Sequence, residues 1–220
     1  MKPFDPETLT TAQLEALARC AAAGAALASE AITLMTRRPV AVLSPKVRAI
    51  PITEVAELLG GAETPVVALH MRIQGGSRGE ILIALSPDSA ASLLASILER
   101  PLTRFEPENM TRMERSVLLE IGNTVAGAYL SALAGITKSS LLLSPPEMAI
   151  DMAGAVVDDT LAETARGAAA ILLIEMALSA DPRGSHALML HLPDLATLPR
   201  LVRSSACPRD AEGCDATGGA

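Results

Sequence analysis

Residues 111–146 read TRMERSVLLEIGNTVAGAYLSALAGITKSSLLLSPP, and the rest of the chain is organised around them. Thr111 followed by Glu114 is a capping box, so a helix starts here. Gly135, shortly before Lys138, is the expected stop. At about 100° per residue, Arg112, Ser116, Glu120, Asn123, Gly127 and Ser131 share one narrow stripe. The opposite face carries Val117, Leu118, Ile121, Val125, Ala128, Tyr129 and Leu133 and is expected to meet a core. Gly122-Asn123 in mid-helix is costly, about 1 kcal/mol for the glycine and several tenths for the asparagine. That cost points to a task for Asn123.

The spacing Ser116-x3-Glu120-x2-Asn123-x22-Pro146 resembles the signature of the CheC-type chemotaxis phosphatases, a family that includes CheX and FliY. EIGN at 120–123, YLSALAG at 129–135 and SPPEMAIDMAGA at 144–155 are similar to that family too. The resemblance spans residues 10 to 205.

Half of the 220 residues are hydrophobic, yet there is no Trp, one Tyr and two Phe. The core is therefore expected to be aliphatic, which suits helices packed on a sheet better than an aromatic-lined pocket. A net charge of −7 argues against nucleic acid and against anionic membrane as partners. Cys20, Cys207 and Cys214 form no motif, the usage of a reducing, cytoplasmic compartment. Residues 1–10 contain Lys2, Asp5 and Glu7 and no signal-like apolar run. The most apolar window, 16–35, is interrupted by Arg19 and Glu30 and reads as a buried helix.

An internal repeat is visible. Thr10 with Gln13 forms another capping box, opening a helix over 10–36 that Pro39 stops. Short extended pieces flank Ser44-Pro45, and 52–59 holds a helical turn before Gly60-Gly61. Residues 65–73 and 80–85 read as strands joined by the 74–79 hairpin loop, and Ser86-Pro87 starts a helix to about 100. After a connector over 101–110 the order recurs: helix, extended pieces at 141–143 and 148–156, an acidic turn over 158–166, strands 168–179 and 186–192, and a last helix from Pro193 to about 204. Thr10 and Thr111 are 101 positions apart, as are Pro45 and Pro146, and Pro87 and Pro193 are 106 apart. The expected fold is α/β of the α+β kind with a pseudo-two-fold internal repeat. One continuous, mainly antiparallel sheet carries two long helices on one face. Residues 1–205 form a single domain of two repeats, 10–100 and 111–205, and 206–220 a disordered tail.

In the first repeat, Glu15, Arg19 and Ala22 occupy the places of Ser116, Glu120 and Asn123, so its copy of the signature reads as erased. What the resemblance implies is hydrolysis of the aspartyl phosphate on a CheY-like response-regulator receiver. Asn123 would orient the water and Glu120 would dock the receiver through its active-site lysine. Ser116 and Pro146 would support the site. No cofactor is expected in this chain, the Mg²⁺ belonging to the receiver. A CheD-like deamidase is a further partner the family brings. The alternative is a non-catalytic interaction module like the middle domain of the flagellar switch protein FliM. His70, His186 and His191 have no ligand spacing, and the 74–79 glycines lack the Lys-Ser/Thr ending of a phosphate loop.

Overall fold

A computed structural model describes residues 11–37, 40–51, 54–76, 78–99, 105–164, 170–179 and 185–193. The first repeat contributes α1 (Thr11–Thr36), β1 (Ala41–Pro51), α2 (Val55–Leu58), β2 (Pro65–Gly75), β3 (Gly79–Leu85) and α3 (Pro87–Leu98). The second contributes α4 (Arg112–Thr137), β4 (Leu141–Leu143), β5 (Glu147–Met152), α5 (Ala153–Thr164), β6 (Ala170–Ser179) and β7 (Ser185–Pro193). The expected last helix and the 206–220 tail lie outside the described residues, as does Thr10.

Among the described residues seven strands form one sheet in the order β1-β6-β7-β3-β2-β4, with β5 also paired to β2. Every pairing is antiparallel. The two repeats exchange their first strands: β1 of the first lies on β6 of the second, and β4 with β5 lie on β2. The register repeats as well. Pro65 pairs with Met152 as Ala170 pairs with Pro51, and Val67 pairs with Leu85 as Leu172 pairs with His191. At the junction β3 runs beside β7, with Ile83 opposite Met189. The offset of 101 through the long helices and first strands thus grows in the later strands, as the sequence arithmetic expected.

Strand alternation divides the core into two layers. Val67, Leu69, Met71, Ile81, Ile83, Leu172, Ile174 and Met189 face α1 and α4, meeting Ile32, Leu118, Val125 and Leu133. Val66, Ala68, Leu82, Leu173 and Leu190 face the reverse side, covered by Val55 of α2 and by Ala153, Val156 and Val157 of α5. Both long helices are long and apolar enough to cross a membrane, but each packs a face into this core.

Several expectations need correction. Ala41–Pro51 form one strand, not two pieces; its pairing slips by one residue between Leu43 and Lys46, a bulge at Ser44-Pro45. The strand after Pro146 ends at Met152, and the supposed acidic turn is helix α5. There Val156 and Val157 face the sheet while Asp158 and Asp159 face solvent. Gly135 does not end the site helix. The stop is Lys138, in the left-handed conformation (φ 53°).

Candidate functional site

Helix α4 is positioned by its ends and by one glycine. Thr111 caps it: the Glu114 N–H donates to Thr111 Oγ1 (3.3 Å), and the Thr111 N–H and hydroxyl donate to Glu114 Oε2 (2.7 and 2.8 Å). Glu114 is itself buried. Gly122 is buried where a Cβ would run into Leu69 Cδ1, so this turn of the helix packs against a side chain of β2. The mid-helix glycine therefore has a packing reason of its own. At Gly127 a Cβ would meet open space, and Ser131 is exposed. The close helix–helix approach is at Gly24 of α1, where a Cβ would come within 2.6 Å of Tyr129 Cα.

On this seated helix Arg112, Ser116, Glu120 and Asn123 are all exposed. Glu120 and Asn123 stand one turn apart on the outward stripe, next to the buried Gly122. Pro146 sits, half-buried, in the break between β4 and β5. That break is tied down by residues the sequence reading passed over. The Arg72 N–H donates to Ser144 Oγ, and the Ser144 N–H to the Arg72 carbonyl, both at 2.9 Å. Arg115 Nη2 donates to the Met148 carbonyl (3.3 Å), joining the first turn of α4 to the start of β5. A Ser preceding two prolines at a bulge was the available signal for Ser144; Arg115 left none.

Beneath the stripe, the Tyr129 hydroxyl and His191 Nδ1 share a 2.9 Å hydrogen bond inside the core. Burial holds the His191 imidazolium down, to about 4, and pushes the Tyr129 phenol well above its usual range. Burial also raises the Cys20 thiol to about 11, which removes it as a nucleophile. His70 is paired with Glu80 at 2.9 Å on the reverse face. A cavity of about 230 Å³ on that face, lined by His70, Arg72, Glu147 and Asp159 among others, includes none of the stripe residues. Among the described residues no group of three or more His, Cys, Asp or Glu could hold a metal ion.

A carboxylate and a carboxamide on an open ridge enclose no substrate. They can act only by entering a site that another molecule provides. In copy one, Glu15, Arg19 and Ala22 are also exposed, so the degenerate positions occupy an equally accessible ridge.

No protein-family profile matches the chain. It is 27% identical over 191 residues to the CheY-P phosphatase CheC of Bacillus subtilis (strain 168), covering 86% of this chain and 91% of that protein. Its fold is that of Thermotoga maritima FliY, with a TM-score of 0.72 at 14% identity over 90% of this chain and 98% of the other. The FliM middle domain from H. pylori superposes with a TM-score of 0.62 at 12% identity, over 89% and 99% of the two chains. Across most of its length the chain is thus similar in sequence to a CheC protein, and it has the fold seen in FliY.

Proposed function

We propose that the protein is a phosphatase for the aspartyl phosphate of a CheY-like receiver domain, working through α4. The observation that carries this reading is the pair Glu120 and Asn123, exposed one turn apart on α4 beside the buried Gly122. The similarity to a CheY-P phosphatase over most of the chain supports it. In the proposed reaction the ridge enters the receiver's active site and Glu120 pairs with the receiver's lysine. The Asn123 carboxamide accepts a hydrogen bond from a water and holds it in line with phosphorus. Water adds as the P–O bond to the aspartate breaks, releasing inorganic phosphate and the free carboxylate. Positioning is the main contribution a protein makes to such a transfer. The carboxamide suits the task because it both donates and accepts hydrogen bonds and carries no charge to repel the phosphoryl group. Mg²⁺ would be the receiver's. Ser116 and Pro146 would shape the ridge and its flank.

A phosphate-release assay tests this: candidate phosphorylated receivers are incubated with the protein, and inorganic phosphate is followed against the receiver's own decay. Acceleration by the wild type but not by Asn123→Ala is the expected result. The likeness to the FliM middle domain favours a second reading, a non-catalytic module that binds a receiver or a CheD-like deamidase. Binding of a receiver with no acceleration of its decay would select that reading.

A further inference from the structure

The outward face of α1 differs from that of α4 in a way the fold does not require. Arg19, Ala23, Ala26, Glu30 and Leu34 recur at spacings of three and four residues and are all exposed, with Leu27 beside them. Leu34 is 74% exposed and Leu27 47%, a large apolar area for a folded surface. At the 101-residue offset, α4 has Gly127 for Ala26, Ala128 for Leu27, Ser131 for Glu30 and Gly135 for Leu34. That helix lies on the same sheet with small residues in these places. Leu27 and Leu34 are thus not needed to seat a long helix here.

We infer that this face of α1 is a self-association surface, on which a second copy of the chain docks its own α1 antiparallel. The charges choose the partner and the register. Arg19 and Glu30 are exposed, and among the described residues neither has an ion-pair partner. A two-fold axis midway between Ala23 and Ala26 puts Arg19 of each copy level with Glu30 of the other. Each charge then lies about 8 Å along the helix from the axis. The same symmetry sets Ala23 against Ala26, where small side chains let the helices approach, and Leu27 against Ala22. A two-fold contact of this kind is self-complementary, so one pair of residues supplies two ion pairs. This surface lies on α1 and does not depend on the phosphatase reading of α4.

Sedimentation velocity of the full chain over a wide concentration range tests the inference. A concentration-dependent dimer is expected. Arg19→Glu or Glu30→Arg alone, which bring like charges together, should each weaken it by roughly tenfold or more. The double variant, which exchanges the two charges, should restore it. Leu27→Ser should weaken the dimer without altering charge, and thermal melts of all four variants at concentrations where the wild type is monomeric should match it, because every site is exposed on the single chain. A chain that stays monomeric throughout overturns the proposal. So does a dimer indifferent to both charge reversals, and so does failure of the double variant to recover while its melt is normal.

Discussion

Asn123 is exposed on α4, and removing its side chain takes away no packing. Asn123→Ala is expected to lower receiver dephosphorylation by about 100-fold, the size of losing one positioning group. Its melting temperature should hold or rise slightly, since Ala is the better helix former. Glu120→Ala should weaken receiver binding as well as rate, because a charge pair across an interface sets register and encounter. Phosphate release and thermal melts of both variants check this; an active Asn123→Ala would end the phosphatase reading. His191 governs a different behaviour. Its pKa falls from 6.5 to about 4 on burial, so the unfolded chain accepts a proton that the folded chain refuses. Folding stability should therefore decline as pH drops from 6.5 towards 4, by about 3 kcal/mol in all. His191→Gln keeps a hydrogen-bonding partner for Tyr129 and has nothing to titrate. Urea unfolding at several pH values should show a flatter acid limb in that variant. Equal limbs would assign the acid sensitivity to carboxylates elsewhere.

The helices divide their glycines by what lies opposite. At Gly24 a Cβ meets the Tyr129 backbone, which has nowhere to go, whereas at Gly127 it meets nothing. Gly24→Ala should force α1 and α4 apart and cost about 2 kcal/mol, lowering the melting temperature by roughly 4–8 °C. Gly127→Ala should gain up to about 1 kcal/mol and raise it by roughly 2–4 °C. Paired calorimetric scans decide, and a drop for both would mean that α4 is tighter along its outer stripe than it stands here. The long helices were readable because caps and apolar period agreed, as with Thr111, Glu114 and the buried face from Leu118 to Leu133. The end of α4 was not, because Gly135 weakens a helix by only about 1 kcal/mol and does not break it. Helix α5 was hidden by composition: two adjacent aspartates look like a turn unless the sheet beneath Val156 and Val157 is known. The exposed stripe with Glu120 and Asn123 followed from helical period alone. The hydrogen bonds of Ser144 and Arg115 that brace its flank depend on tertiary neighbours and left no local trace.

The molecule is held together by what its halves lend each other. The repeat could be read from the 101-residue offset, but not that β1 would cross to β6 while β4 and β5 cross to β2. That exchange is set by closure of the whole sheet, not by any segment's pattern. Residues 1–100 expressed alone should show no cooperative melt, nor should 101–220. Mixing or co-expressing them should recover a folded complex, visible as a single transition. A cooperative transition in either piece alone would show that a repeat can close its own sheet. The exchange also bears on how the chain is made. Ala41 waits for Ser179, so β1 leaves the ribosome on the order of 10 s before the strand it pairs with, at about 5–20 residues per second. For that interval a nascent chain carries an amphipathic helix and a strand edge with nothing to receive them, the kind of exposure that holding chaperones shield.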